Sequence, residues 1–137
     1  MKVVGVLLFF ICFTSNFFAQ DDTVMTPAEL AEAQLIAYNN GDVESFMAVF
    51  HEDISIWNLG DTIPRFEGFE NVKKVYAELF EKSPNLHSKV VNRTIIGNRV
   101  LDYEYITGRG GDNPPFFLVM IYEVKEGKIW KATAIRE

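Results

Sequence analysis

Two carboxylates, Asp102 and Glu104, stand two residues apart in a β-favouring stretch from Arg99 to Thr107. Side chains alternate across a strand, so both fall on one face. If that face lines a pocket, repulsion between the carboxyls holds one of them neutral, ready to give a proton. If it is solvated or faces a neighbouring strand, the pair sits opposite Arg93 or Lys89 as a structural ion pair. Leu101, Tyr103 and Tyr105 take the other face and are expected in the core. A third carboxylate, Asp61, follows Trp57 and Asn58 where a short apolar strand runs into a segment with Gly60 and Pro64. Asp61 can act there as a base or polar anchor beside a Trp57 wall, or can simply cap the loop.

The remaining chemistry-bearing residues are few. His51 and His87 are the only imidazoles, and their spacing does not make a metal site. His51 is expected to face the carbonyls ending a helix, and His87, at a strand start, offers a general acid. Tyr38, Tyr76, Phe116, Phe117 and Trp130 can line an aromatic cavity or pack as ordinary core. Arg109 lies in a Gly-rich loop and can hold an anionic ligand or stay solvated. The sequence contains no Ser/His/Asp arrangement, phosphate loop, dinucleotide fingerprint or zinc signature. Neither a cofactor nor a metal is expected.

These groups must be positioned by helices followed by strands. Thr26-Pro27-Ala28-Glu29 opens a helix with the residues of a capping box, and Asn39-Asn40-Gly41 stops it. Asp42 caps a second helix whose stripe is Val43, Phe46, Met47 and Phe50. Asp53 to Asn58 is a short strand, and a third helix runs from about Phe69 to Lys82. Four strands follow: Leu86–Ile96, Arg99–Thr107, Phe116–Val124 and Lys128–Arg136, with tight turns at Gly97-Asn98 and Glu126-Gly127. Helices first and consecutive strands after predict an α+β fold with an antiparallel sheet. Phe116 to Val124 is apolar on both faces until Glu123, so its outer face must also be covered. A second copy of the chain is the simplest cover, giving a homodimer through the convex face of the sheet.

The chain has 137 residues, enough for one domain, and a formal net charge of −6. An acidic chain without a basic cluster is not built for nucleic acid. Residues 1–20 differ from the rest: Lys2, then the apolar run Val3 to Phe13, then a polar exit before Asp21-Asp22. This pattern predicts a signal peptide cleaved near Ala19-Gln20, leaving residues 21–137 as a secreted or periplasmic domain with no membrane segment. The alternative is an uncleaved anchor, although a helix from Val3 to Ala19 would span only roughly 25 Å of a core about 30 Å thick. Cleavage removes Cys12, the only cysteine, so no disulfide or thiol chemistry is expected.

The segments Ala37-Tyr38-Asn39-Asn40-Gly41-Asp42, Phe46 to Ile56, Phe66-Glu67-Gly68-Phe69-Glu70-Asn71-Val72 and Ile121 to Ile129 together resemble the nuclear transport factor 2-like superfamily. Within it they are similar to the SnoaL-like and ketosteroid-isomerase-like branch. The stretch Asn92 to Glu104 looks like short SnoaL-like proteins labelled steroid isomerase by similarity. The resemblance implies a cone-shaped, cystatin-like α+β roll, in which three N-terminal helices pack on a strongly curved antiparallel sheet around an apolar pocket. It also implies positions for an acid–base trio, which fall at Asn58, Gln34 and near Met120. All three differ from the isomerase pattern: Asn58 cannot take up a proton from a carbon acid, and Met120 cannot donate a strong hydrogen bond. Three functions stay open: a binder of a small apolar molecule, with Tyr38, Trp57, Asn58, His87, Phe116 and Trp130 as pocket residues; an isomerase or lyase using Asp61, Asp102 or Glu104; and a dimeric interaction module whose pocket is filled by its own side chains.

Overall fold

The structure, a computed structural model, describes residues 23–136. The expected signal segment and Cys12 lie outside the described residues. The elements run α1 (Pro27–Asn40), α2 (Val43–Met47), β1 (Phe50–Asn58), β2 (Phe66–Glu67), α3 (Phe69–Lys82), β3 (His87–Ile96), β4 (Arg99–Thr107), β5 (Phe116–Lys125) and β6 (Lys128–Arg136).

Local chemistry sets the helix ends. The Glu29 N–H donates to Thr26 Oγ1 at 3.3 Å and the Thr26 N–H donates to Glu29 Oε2 at 2.7 Å, a reciprocal cap that starts α1. Gly41, at φ 63°, closes α1 in the left-handed region, and Asp42 then caps α2 by accepting from the Ser45 N–H at 3.0 Å. The stripe expected to carry α2 as far as Phe50 stops at Met47. Phe50 instead opens β1, where it pairs with Ile129 of β6. His51 is consequently a strand residue. It meets Glu126 Oε2 at 3.0 Å rather than a helix terminus.

One open sheet of six strands holds the order β2-β1-β6-β5-β4-β3. Strands β3 to β6 form an antiparallel meander, but β1 joins β6 in parallel. This corrects the expectation of a wholly antiparallel sheet. The connection from β1 to β6 runs through α3 and four further strands, the kind of long crossover that permits parallel pairing. The expected set of three N-terminal helices is corrected too: α2 has only 5 residues, and α3 follows β1 and β2. Register shifts interrupt β1–β6, β3–β4 and β5–β6, and such irregularities bend a sheet. The curved sheet wraps its inner face around α1, which touches β3 to β6, and α3, which touches β1 and β2.

The pleat of β4 decides what lies inside. Val100, Asp102, Glu104 and Ile106 are buried, and Leu101, Tyr103 and Tyr105 point outward. The tyrosine face expected in the core is therefore the outer one: Tyr103 is 39% exposed and stacks on Phe117 with centroids 5.2 Å apart. The reason is cross-strand register, which sets Val100 against Tyr122 and Glu104 against Leu118, both buried on the inner face of β5.

Asp102 has no exposed surface and lies opposite Arg93 of β3. The guanidinium grips it by two bonds, Nε to Oδ1 at 2.7 Å and Nη2 to Oδ2 at 2.8 Å, and reaches Glu32 Oε2 of α1 at 2.9 Å. Asp102 thus adopts the cross-strand pairing foreseen for a structural carboxylate, in a buried setting. Removing one partner of a buried pair strands the other charge. Arg93→Leu should therefore cost about 3–5 kcal/mol in urea unfolding, and Arg93→Leu/Asp102→Leu should regain most of it. A loss below about 1 kcal/mol for the single variant, the level of a surface pair, would refute the assignment.

Candidate functional site

A cavity of about 110 Å³ lies between α1, α3 and the inner face of β1, β6, β5 and β4. Aromatic side chains from four elements form one part of its wall. Tyr38 comes from α1, Phe46 from α2, Phe50 from β1 and Tyr76 from α3, and the Phe46 and Tyr76 rings stand 4.4 Å apart. Leu118, Met120, Ala132 and Ala134 supply the sheet side.

Into this apolar chamber β4 delivers Glu104, buried at 5% exposure. The Ser88 hydroxyl donates to Glu104 Oε2 at 2.7 Å, and the Tyr122 hydroxyl donates to Oε1 at 3.2 Å. Gln34 Nε2 of α1 donates to the same Tyr122 oxygen at 2.9 Å. Ser88 is itself fixed by Asn39 at the end of α1, which accepts the Ser88 N–H at 2.7 Å and donates to its carbonyl at 2.9 Å. The network begins and ends on α1 and crosses three strands, so the carboxyl cannot rotate freely.

Among the described residues, no cation forms an ion pair or hydrogen bond with Glu104. Burial pushes its carboxyl above the ordinary value, and the nearby Asp102 charge adds to that; the Ser88 and Tyr122 hydrogen bonds oppose it only in part. Burial also raises the Tyr38, Tyr76 and Tyr122 phenols, which therefore stay neutral donors. The two β4 carboxylates share a face but have separate fates. Asp102 is held by a guanidinium outside the cavity, and Glu104 borders the cavity among hydroxyls.

Tyr38 and Asn58 line the cavity, as does Arg109 from the β4–β5 loop. Trp57 lines it too, and also faces an outer depression: the indole N–H donates to Ser55 Oγ at 2.9 Å, and Lys131 Nζ sits 4.9 Å from the ring. Asp61 does not reach the cavity. Its Oδ2 accepts the Asn58 N–H at 3.0 Å in the tight turn after β1, beside a shallow outer depression. His87 is exposed at the start of β3. Phe116 lies at the start of β5, outside the lining, with the Arg136 guanidinium 6.0 Å away. Trp130 is also outside it, because the register shift between Glu123 and Val124 leaves Ile129, Ala132 and Ala134 as the buried positions of β6.

The positions carried over by resemblance, Gln34, Asn58 and Met120, all line the cavity and none titrates. The carboxylate arrives from β4 instead. Ser88, Tyr122, Arg65 and Arg136 were not singled out from sequence. Tyr122 carried one signal, since it shares the period-two face of Leu118 and Met120 on β5.

A family model described as a SnoaL-like domain matches residues 31–132. No curated protein sequence matches the chain. Among solved structures, an uncharacterized cystatin fold protein from Novosphingobium aromaticivorans is 28% identical, with TM-score 0.75, covering 82% of this chain and 99% of its own. An NTF2-like protein of unknown function from Cytophaga hutchinsonii is 16% identical, with TM-score 0.69 and coverages of 85% and 94%. An LEH-like epoxide hydrolase of M. tuberculosis is 19% identical, with TM-score 0.69 and coverages of 81% and 78%. The last two likenesses establish the shared fold.

The raised Glu104 carboxyl has a consequence for stability. Above its ordinary value of 4.5, the native protein keeps a proton that the unfolded chain releases. Stability contributed by this group is therefore full below that pH and is lost as pH rises toward the native value. Urea unfolding across pH should show this fall in the wild type relative to Glu104→Gln. A difference curve that is flat, or that rises with pH, would contradict the assignment.

Proposed function

The chain belongs to the SnoaL-like domain family, and within that family we propose that it is a proton-transfer catalyst of the isomerase or lyase type, acting on a small, largely apolar molecule. The observation that carries this is Glu104: a buried carboxyl with no cation partner, oriented by Ser88 and Tyr122, at the wall of an aromatic cavity. A carboxylate with a raised pKa is a stronger base toward a carbon acid. In the step proposed, Glu104 takes the proton from a C–H next to a carbonyl, and the electron pair moves into the carbonyl oxygen. The proton then returns at another carbon as the carbonyl re-forms, or the enolate expels a leaving group from the β-carbon, and the departing group takes the proton from Glu104. The neutral Tyr38 and Tyr76 phenols border the same space and can donate to the developing oxyanion.

The cavity speaks against a cone filled by its own side chains. Binding without turnover remains the competing function, and the choice rests on exchange chemistry. Small cyclic ketones and enones incubated with the protein in D₂O should lose carbon-bound protons by NMR. Glu104→Gln should lower that rate by about 10²–10⁴, the usual worth of a general base. Melting shifts with these compounds but no exchange in the wild type would leave a binding module and reject the catalyst.

We further propose that the protein is a homodimer through the outer face of the sheet. Support comes from the stacked Tyr103 and Phe117, 39% and 41% exposed, flanked by the half-buried Leu101, Val119 and Ile121. An exposed aromatic patch of this kind marks an interface. Sedimentation should give a dimer for the wild type and a monomer for Phe117→Lys, and a monomeric wild type would end the proposal.

A further inference from the structure

We propose that the mouth of the cavity is an anion site, formed by Arg65, Arg109 and Arg136, that takes the carboxylate of a small apolar acid. This rests on the cavity being a ligand site, but not on proton transfer by Glu104.

The three arginines come from separate parts of the chain and border one cavity. Arg65 precedes β2, and its N–H donates to the Ile56 carbonyl at 2.7 Å. Arg109 sits in the β4–β5 loop, which approaches the β3 entry closely. At Gly108, φ 69°, an added Cβ would fall 2.1 Å from the Asn85 carbonyl oxygen, so only glycine permits that path. The Gly110 N–H then donates to Ser83 Oγ at 2.8 Å. Arg136 ends β6. The Arg65 and Arg136 guanidinium groups lie over Phe66 and Phe116, at 5.6 and 6.0 Å from the ring centroids.

What sets them apart from the other arginines among the described residues is the lack of a carboxylate partner. Arg93 and Arg99 are each paired with carboxylates, and so are Lys73 and Lys131. Among the described residues, no carboxylate forms an ion pair with Arg65, Arg109 or Arg136. The chain carries 19 acidic residues, so acids were available to the fold. The one carboxylate lining the cavity, Glu104, already accepts from two hydroxyls. Burial, and then the like charges of Arg109 and Arg65, push the Arg136 guanidinium below its ordinary value. An anion at the mouth would relieve that repulsion and gain charge-assisted, forked hydrogen bonds.

The space behind the arginines decides the class of anion. It is aromatic and aliphatic, and a void of this order of size takes about one small ring. An acid group on a hydrocarbon ring or short chain fits both ends, whereas a free inorganic anion would use only the mouth. Benzoate and its neutral analogue benzamide are therefore the probes, titrated into the full chain by NMR or calorimetry.

Benzoate should bind at least about tenfold tighter than benzamide, a difference expected for charge-assisted over neutral hydrogen bonds. That advantage should fall with added salt. Arg109→Gln/Arg136→Gln should reduce it to within about twofold, and Arg65→Gln should reduce it in part. The readout is binding and not exchange, so failed proton exchange and a failed anion site are separable outcomes. Circular dichroism on the variants confirms folding. Equal affinity for the two probes would overturn the proposal. So would a preference that survives in the double variant, or inorganic phosphate binding as tightly as benzoate.

Discussion

The pleat of β4 forces two carboxylates beneath the helices, and the structure depends on how each is neutralised. A buried charge without compensation costs several kcal/mol, so burial is tolerated only with strong partners or a bound proton. Asp102 is opposite Arg93 and takes the first solution, with two short bonds to a planar guanidinium. Glu104 lies opposite Leu118 on β5 and Val90 on β3, neither of which offers a cation. It receives neutral hydroxyls and keeps the option of a proton. The two fates are coupled, because the Asp102 charge that Arg93 holds in place helps keep the Glu104 carboxyl raised. An ion pair that serves stability therefore also tunes the group in the cavity.

Much of the architecture was legible because local signals agreed. Capping residues, glycine stops and period-two runs fixed α1, α3 and the four late strands, with β4 and β6 bounded as expected. What failed was non-local. Nothing in Phe50–Asn58 announces a parallel partner some eighty residues away, and pairing with β6 took Phe50 from a helical stripe that it fitted well. The face of β4 was misjudged for the same reason. Three large apolar side chains looked like core and two carboxylates looked like surface. Cross-strand register, which single-strand patterning cannot supply, put the carboxylates inside.

The candidate site was legible only in part. Glu104, Tyr38, Asn58 and Arg109 could be nominated by type and spacing, and they meet at the cavity. Asp61 could not be judged from sequence, since an Asp after a strand suits a base and a loop cap equally. Its bond to the Asn58 N–H makes it the cap. Ser88 and Arg136 carried no local signal at all. One is placed by Asn39 across the gap between α1 and β3, and the other by strand order.

That strand order explains why the cationic rim exists. Because β1 runs parallel to β6, the C-terminal ends of both strands lie at one edge of the sheet, Asn58 beside Ala134. The loop leaving β1, which carries Arg65, therefore emerges next to Arg136. The antiparallel pairings bring the start of β5 to that edge as well, with Leu118 opposite Arg136, and with it the end of β4, Ile106 opposite Phe116. The loop bearing Arg109 joins those two strand ends. Had β1 paired antiparallel to β6, the Arg65 loop would have left at the opposite edge and the rim would hold two arginines instead of three. The mouth's charge is thus a consequence of topology, with the Glu104 carboxyl set back from it along β4. On the proposed anion site, an apolar acid would meet those cations with its carboxylate and present its apolar end to Glu104.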